Sequence, residues 1–398
     1  MSSSLDFWFD YTCPYAYLGS TQIRAFAARL GRELVYQPIL LGGIFKANEQ
    51  PQKLFESRSP ARLAYDAKDM QRWAKIRGVP LVMPPGHPLR SVEALRATIV
   101  TKMDPAVIDG FYRAYWVDGR EISSREVIAE VVTRAGHDAA KVLAAIETQE
   151  IKDDLRARTE RGIALGIFGV PTIIVDGELY WGQDRFQQIE GTRLGGTPPA
   201  SASVKELEVF WDFSSPFAYL GASQVEALAR RTGAKVKWTP ILLGGLFKSL
   251  GAPEVPLSTF PVSKQMWIAK DLERWAKYWG VPYRFPARFP TLSLKALRLY
   301  LALPDSHKAR YRENVFRVNW FEDKDITDEA VLAECVGDPE VARAAAAKTG
   351  SDEVKAELRA QTQRAAELGV FGVPTFMVDG ELYWGQDRLE LVEDALRS

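Results

Sequence analysis

The sequence repeats itself almost from end to end, and this repeat constrains the fold more than any other feature. The block PILLGGIFK beginning at Pro38 returns as PILLGGLFK at Pro240, an offset of 202 residues. The decapeptide DGELYWGQDR occurs unchanged at Asp176 and at Asp379, an offset of 203 residues. Solenoid units are only ~20–50 residues long. The chain therefore carries two copies of one whole domain.

The length agrees with this interpretation, because 398 residues suggest two domains at ~100–200 residues each. Residues 193–204 lie between the copies and are rich in Gly, Pro and Ser, a composition typical of a linker. We therefore predict a first domain over residues 1–192, a linker over 193–204 and a second domain over 205–398.

The composition argues against several classes of function. The 51 Lys and Arg residues balance 51 Asp and Glu residues, which disfavours a broadly basic nucleic-acid binder. No apolar run reaches the ~18–20 residues of a membrane span, and the first residues lack the pattern of a signal peptide. Two cysteines and three histidines are too few for a disulfide framework and leave little material for a metal site. We expect a cytoplasmic protein without nucleic-acid, membrane or metal partners.

Each copy shows the same order of predicted elements. A strand, a helix and a strand are followed by a helical block, then by a two-stranded hairpin and a last helix. In the first copy we predict strands at 5–9, 34–41, 172–175 and 178–181, with Gly42-Gly43 ending the second. The predicted helices are 14–30, 61–77, 91–101, 106–116, 124–135 and 152–165, and Gln183 or Asp184 caps the last one.

The start of the first helix is the most informative position for chemistry. Proline is favoured at the first position of a helix, so Pro14 and Pro216 place Cys13 and Ser215 at the N-cap. A helix N-terminus carries about half a positive charge and unsatisfied N–H groups, which stabilise an anionic sulfur. Cys13 is interpreted either as a reactive group or as an inert core thiol. Ser215 is interpreted either as a functional hydroxyl or as a cap alone.

Several motifs taken together resemble one family. They are Cys13-Pro14-Tyr15 and its Ser215-Pro216-Phe217 counterpart, the two Phe-Gly-Val-Pro-Thr turns, the PILLGG blocks and the two YWGQDR segments. The combination resembles the DsbA-like superfamily, in its 2-hydroxychromene-2-carboxylate isomerase and kappa-class glutathione transferase branch. The resemblance implies an α/β fold of two tandem thioredoxin-like domains, each with a helical insertion. It also implies that Pro171 and Pro374 are cis.

The resemblance further implies a glutathione site in each copy. The group at the first helix would stabilise the glutathione thiolate, the valine before the cis-proline would offer backbone groups to the tripeptide, and an Asp-Arg pair would hold its γ-glutamyl end. A basic residue on the first inserted helix would assist. The implied residues are Cys13, Val170, Pro171, Asp184, Arg185 and Arg62 in the first copy, and Ser215, Val373, Pro374, Asp387, Arg388 and Lys264 in the second.

Three classes of function remain open at this stage. The first is a glutathione-dependent isomerase or transferase of small aromatic or electrophilic compounds. The second is a DsbA-like monothiol thiol–disulfide oxidoreductase using Cys13, because the second cysteine of a Cys-x-x-Cys motif is absent from both copies. The third is a binding protein without activity. The isomerases often carry Asn at the start of the helix after the Pro-rich loop, whereas Ser91 and Ser293 lie there, so the chromene substrate stays open. Relatives in this branch are commonly homodimers, which would make this chain a covalent pseudo-dimer.

Overall fold

The computed structural model describes residues 4–51, 58–192, 204–253 and 255–398. The predicted linker 193–204 lies outside the described residues apart from Val204. The chain divides into two compact units. The first runs to Glu190 and also includes Pro261–Trp267, and the second comprises Gly191–Phe260 and Ile268–Ser398.

The first half of the chain contains four strands and nine helices among its described residues. They are β1 (Ser4–Phe9), α1 (Pro14–Arg29), β2 (Glu33–Pro38), α2 (Leu41–Ala47), α3 (Pro60–Arg77), α4 (Val92–Val100), α5 (Pro105–Trp116), α6 (Arg125–Arg134), α7 (Ala139–Ala145), α8 (Gln149–Ala164), β3 (Thr172–Val175), β4 (Glu178–Trp181) and α9 (Phe186–Glu190).

The second half repeats this order. Its elements are β5 (Glu206–Trp211), α10 (Pro216–Thr232), β6 (Lys235–Pro240), α11 (Leu243–Ser249), α12 (Val262–Trp279), α13 (Leu294–Ala302), α14 (Asp305–Trp320), α15 (Glu329–Val336), α16 (Pro339–Ala346), α17 (Asp352–Glu367), β7 (Thr375–Val378), β8 (Glu381–Trp384) and α18 (Leu389–Arg397). Short 3-10 turns, Gln183–Arg185 and Gln386–Arg388, precede α9 and α18.

Each unit is built on a four-stranded mixed sheet. The strand order is β2-β1-β3-β4 in the first unit and β6-β5-β7-β8 in the second. The first two strands of each copy are parallel and joined by a long helix, whereas the hairpin strands pair antiparallel. This topology confirms the predicted order of strand, helix, strand, helical block, hairpin and helix.

The central strand of each sheet explains why these segments form a core. Phe7, Trp8 and Phe9 of β1 are fully buried, as are Val209, Phe210 and Trp211 of β5. Each such side chain contributes ~1.5–3 kcal/mol when it leaves water. Among the described residues, no helix has the length and hydropathy needed to cross a membrane.

The prediction for the second strand was wrong at its end. The strand stops at Pro38, and Gly42-Gly43 lie inside α2 rather than ending a strand. The first amide groups of α2 are satisfied from distant segments, since Leu40 N–H donates to Thr159 Oγ1 at 3.1 Å and Leu41 N–H donates to Asp10 Oδ2 at 2.8 Å. Two further short helices, α7 and α16, were not predicted.

Candidate functional site

Cys13 occupies the N-cap of α1, with extended backbone angles and Pro14 as the first helical residue. Its Sγ donates to the carbonyl oxygen of Val170 at 3.0 Å and makes no cap hydrogen bond. Burial raises the pKa of the Cys13 thiol to about 12, although the N–H groups of Ala16 and Tyr15 act in the opposite direction. Cys13 is therefore a protonated thiol at neutral pH.

Ser215 holds the same position in the second unit and behaves differently. Its Oγ accepts from Ala218 N–H at 3.2 Å, which caps α10, and donates to Val373 O at 3.1 Å. The residue is only 4% exposed. The Ser215 oxygen thus accepts the cap hydrogen bond at the start of its helix. The Cys13 sulfur is a weaker acceptor and makes no such cap bond.

The valines that these groups contact precede cis-prolines, as expected from the resemblance. The Val170-Pro171 and Val373-Pro374 bonds are both cis. Within the described part of the chain, the amide N–H of neither valine has a hydrogen-bond partner. Each turn therefore presents an unused backbone donor beside the helix N-terminus.

A tryptophan ring packs against the glycine of each of these turns. A Cβ on Gly169 would lie 2.8 Å from Trp181 Nε1, and a Cβ on Gly372 would lie 2.6 Å from Trp384 Nε1. Only glycine allows this approach. The glycine of the Phe-Gly-Val-Pro-Thr motif and the tryptophan of the Tyr-Trp-Gly-Gln-Asp-Arg motif thus depend on each other.

The Asp-Arg pair of the first unit is joined to the cis-proline turn through Gly182. Gly182 N–H donates to Pro171 O at 2.9 Å. Its φ of 108° favours glycine, and a Cβ there would lie 2.5 Å from Asp184 Oδ1. Asp184 Oδ1 also pairs with Arg185 Nη1 at 2.9 Å, and both side chains are largely buried. The Asp-Arg pair predicted to bind the ligand is therefore held in place by its own ion pair and by the turn that links it to Pro171.

The second unit reproduces this arrangement. Gly385 N–H donates to Pro374 O at 2.9 Å, and Asp387 Oδ1 lies 3.2 Å from Arg388 Nη1. A Cβ on Gly385 would again lie 2.5 Å from the aspartate Oδ1. Continuous short contacts thus connect the cap group, the valine, the cis-proline, the glycine and the Asp-Arg pair in both units.

The basic residues predicted on the first inserted helices are engaged within the first unit. Arg62 Nε donates to Asp66 Oδ1 at 2.8 Å, and Arg58 contacts the same buried carboxylate. Lys264 lies in the segment of α12 that belongs to the first unit. Burial and the charges of Arg62 and Arg58 lower its pKa to about 8. Lys264 and Ser215, which the family resemblance assigns to the same site, therefore belong to different units.

Arg77 is a residue near this site that the sequence interpretation missed. Its guanidinium donates to Gln183 Oε1 at 3.0 Å and to Gln183 O at 3.2 Å. Burial lowers its pKa to about 10, while the charge of Asp184 raises it. The corresponding residue of the second copy is Trp279, so the repeat gives no signal for a paired arginine.

The tryptophans at the ends of α5 and α14 have a positioning role. Trp116 and Trp320 are fully buried, and their Nε1 atoms donate to Tyr11 O at 2.7 Å and Phe213 O at 2.8 Å. They fix the loop that precedes the cap residue.

The loop between α3 and α4 packs on the end of α5 and differs between the copies. His87 Nδ1 lies 2.9 Å from the Tyr115 hydroxyl, which accepts from Leu89 N–H at 2.8 Å. Burial lowers the pKa of His87 to about 4, so its imidazole is neutral at pH 7. Phe289 and Asn319 stand at the matching positions of the second copy. One copy therefore has a polar pair where the other has an aromatic ring and an amide.

The sequence of this chain is similar to known proteins in both of its halves. The family profile described as "DSBA-like thioredoxin domain" matches residues 4–192 and 206–397. A 2-hydroxychromene-2-carboxylate isomerase of Sphingobium xenophagum is 33% identical over 194 residues, which are 48% of this chain and 98% of that protein. Glutathione S-transferase kappa 1 of Rattus norvegicus is 30% identical over 203 residues, 47% of this chain and 88% of the transferase. A solved 2-hydroxychromene-2-carboxylate isomerase structure is 27% identical, with a TM-score of 0.42, covering 48% of this chain and 94% of its own.

Proposed function

The chain belongs in both of its halves to the DSBA-like thioredoxin domain family, and from this we propose that it is a glutathione-dependent isomerase or transferase of small aromatic or electrophilic compounds. The relatives carry the names of isomerases and glutathione transferases. The observation that best supports the proposal is the placement of Ser215 at a helix N-terminus, 3.1 Å from the carbonyl of Val373. Among its described residues, the second unit thus offers a hydroxyl at the helix N-terminus and an unused backbone N–H on Val373, the residue that this hydroxyl contacts.

The proposed binding mode uses these groups in order. The extended tripeptide pairs with the backbone of Val373, and its cysteinyl sulfur lies at the start of α10. The Ser215 hydroxyl turns from the Val373 carbonyl to the sulfur and donates a charge-assisted hydrogen bond. The γ-glutamyl end meets Asp387 and Arg388, whose charges match an ammonium and a carboxylate.

The same mode applies to the first copy, with Cys13 in place of the serine. Because burial raises its pKa to about 12, Cys13 remains an S–H group and acts as a weaker donor to the glutathione sulfur. Val170, Pro171, Asp184 and Arg185 supply the other contacts. Glutathione, rather than the protein, provides the working thiolate.

The chemistry follows from a stabilised thiolate. In the transferase reaction the thiolate attacks an electrophilic carbon, a carbon–sulfur bond forms, and the leaving group departs with its electron pair. In the isomerase reaction the thiolate adds to a conjugated double bond and gives an enolate. Rotation about the resulting single bond and expulsion of the thiolate regenerate glutathione.

A monothiol oxidoreductase is the second candidate, because Cys13 lies at a helix N-terminus. That chemistry requires a thiolate, and the burial of Cys13 opposes its formation. We therefore rank it second. Insulin reduction with glutathione as the reductant distinguishes the two candidates, since turnover that disappears in Cys13→Ser would favour the oxidoreductase.

The proposal is tested by turnover with glutathione and a panel of chromene and haloaromatic substrates. We expect consumption that depends on both glutathione and protein and that falls in Ser215→Ala. Rates equal to the buffer background for the whole panel, together with no glutathione binding by calorimetry, would contradict the proposal. We also propose that the domains are residues 1–192 and 205–398, joined through 193–204 into a covalent pair.

A further inference from the structure

A fully buried carboxylate follows the central strand of the second unit and is not used by the chemistry proposed above. Asp212 Oδ1 accepts from Ser214 N–H at 2.9 Å, and its Oδ2 accepts from Leu243 N–H at 2.7 Å. The Ser293 hydroxyl also bonds to this carboxylate. Asp212 therefore joins the loop that carries Ser215, the first residue of α11 and the N-cap of α13.

The first unit contains the same arrangement. Asp10 is 1% exposed, its Oδ1 accepts from Thr12 N–H at 3.1 Å, and its Oδ2 accepts from Leu41 N–H at 2.8 Å. The Ser91 hydroxyl completes the set. The arrangement therefore occurs twice, although Asp10 precedes a cysteine and Asp212 a serine.

These carboxylates stabilise the starts of α2 and α11 through Leu41 N–H and Leu243 N–H, but their burial also has a cost. Among the described residues, no lysine or arginine forms an ion pair with Asp212 or Asp10. A buried carboxyl without a cationic partner is costly even when it accepts several hydrogen bonds. Burial raises the pKa of both groups. A group retained at such a cost at the edge of a site is a candidate for a functional role.

The main chain of Asp212 contacts the residue that the proposed mechanism uses, and its carboxylate contacts the neighbouring residue Ser214. Ser215 N–H donates to the main-chain oxygen of Asp212 at 3.3 Å. The Asp212 backbone and side chain thus hold residues 214 and 215 together. This fixes the direction of the Ser215 side chain, so that its Oγ meets both Ala218 N–H and Val373 O.

We infer that Asp212 is a positioning residue that aims the Ser215 hydroxyl at the sulfur of bound glutathione, and that Asp10 holds Cys13 in the same way. This inference rests on the proposed function. Asp212 does not touch the sulfur and exchanges no proton with it. It acts through the loop, by fixing where the donor of the thiolate hydrogen bond lies.

The inference predicts the direction in which the thiol pKa of bound glutathione shifts when Asp212 is replaced. This direction separates an effect of positioning from an effect of the Asp212 charge. Removal of a nearby negative charge by itself stabilises a thiolate, so it would lower the thiol pKa of bound glutathione. Loss of the aimed hydroxyl weakens a charge-assisted hydrogen bond and raises that pKa by ~1–2 units. If Asp212 acts through Ser215, the net shift in Asp212→Asn is upward.

The experiment is a titration of the ultraviolet absorbance of the thiolate in the full chain saturated with glutathione. Asp212→Asn, Ser215→Ala and the double variant are compared with the unmodified protein. The first copy is untouched in all of them, so its contribution cancels in the difference curves. Asp10→Asn is the matched control, because the difference curve for Asp212→Asn is expected to be the same with and without it.

We expect the Asp212→Asn curve to shift upward, and the same substitution to give no upward shift once Ser215 is alanine. A downward shift, or an equal upward shift in both backgrounds, would overturn the inference. If Asp212→Asn does not fold, Ser293→Ala loosens the same carboxylate without leaving a backbone N–H unpaired, and a smaller upward shift is expected. Absence of any glutathione thiolate signal in the unmodified chain would instead count against the proposed function.

Discussion

At the scale of single residues, the two copies differ at the N-cap of the first helix, where one has the sulfur of Cys13 and the other the oxygen of Ser215. Ser215 Oγ caps its helix and reaches the Val373 carbonyl, whereas Cys13 Sγ reaches only the Val170 carbonyl. An N-cap oxygen contributes ~1 kcal/mol to stability. The serine thus combines a structural role with the proposed catalytic one.

Ser215→Ala is expected to remove both roles. The free energy of unfolding falls by about 1 kcal/mol because the cap is lost, and the pKa of glutathione bound at the second site rises by ~1–2 units. Denaturant unfolding and thiolate titration measure the two effects. Cys13→Ser is the matched control, because it installs a cap oxygen rather than removing one. A lower stability of Cys13→Ser, with no change in Ser215→Ala, would contradict this interpretation.

His87 predicts a pH dependence of stability. Its pKa is about 4 in the folded protein, compared with an ordinary value of 6.5, because burial disfavours the charged ring. The unfolded chain therefore takes up this proton first as the pH falls, and the stability that His87 contributes above pH 6.5 is lost progressively towards pH 4. His87→Phe, which copies Phe289, removes this loss. The melting temperatures of the unmodified protein and of His87→Phe should converge or cross as the pH falls from 7 to 4. Parallel curves for the two proteins would refute the assignment.

At the scale of elements, the turn after β4 depends on a single glycine. Gly182 has a φ of 108°, and any Cβ would meet the carboxylate that pairs with Arg185. Backbone strain of this kind costs ~1–3 kcal/mol for other residues. The turn therefore links main-chain conformation directly to the Asp-Arg pair.

Gly182→Ala should lower stability by ~1–3 kcal/mol and weaken glutathione binding at the first site. Gly177→Ala is the control, because Gly177 also has a positive φ of 80° but nothing lies within 4 Å of its Cβ position. It should lose stability without losing affinity. Calorimetric titration of both variants provides the comparison, and equal affinities would argue against a ligand role for Asp184.

The sequence predicted the elements whose determinants are local. Pro14 and Pro216 marked the helix starts, and the two cis-prolines followed from the family resemblance. The start of α2 was missed because its caps, Asp10 and Thr159, are 31 and 119 residues away. The contact of Arg77 with Gln183 spans 106 residues and has no counterpart in the second copy. Such long-range hydrogen bonds leave no periodic signal.

At the scale of the whole molecule, duplication places two proposed glutathione sites in one chain. The segments proposed to hold glutathione are matched, and YWGQDR is identical in both. The loop after the first inserted helix and the helix it contacts differ, with His87 and Tyr115 in one copy and Phe289 and Asn319 in the other. The copies therefore share one proposed cofactor but offer different surroundings to a second compound.

Calorimetry of the full chain is expected to give two glutathione molecules bound per chain. The site that contains Ser215 should be the tighter at alkaline pH, because its hydroxyl is a stronger donor to a thiolate than the Cys13 thiol. Arg388→Ala should remove one of the two binding events, and Arg185→Ala the other. A stoichiometry of one in the unmodified chain would show that only one copy binds.

Short contacts connect the cap residue to the Asp-Arg pair in each unit. This connection affects which cellular thiols the proposed site can bind. In the second unit only three hydrogen bonds or ion pairs and a few covalent bonds separate Ser215 from Arg388, so the distance between the two ends is set by the backbone. Cysteine and mercaptoethanol can occupy the sulfur end alone. Coenzyme A carries phosphates rather than the α-amino acid that the Asp-Arg pair is proposed to bind. Selection by length and by terminal charge would thus favour γ-glutamyl thiols such as glutathione in each domain.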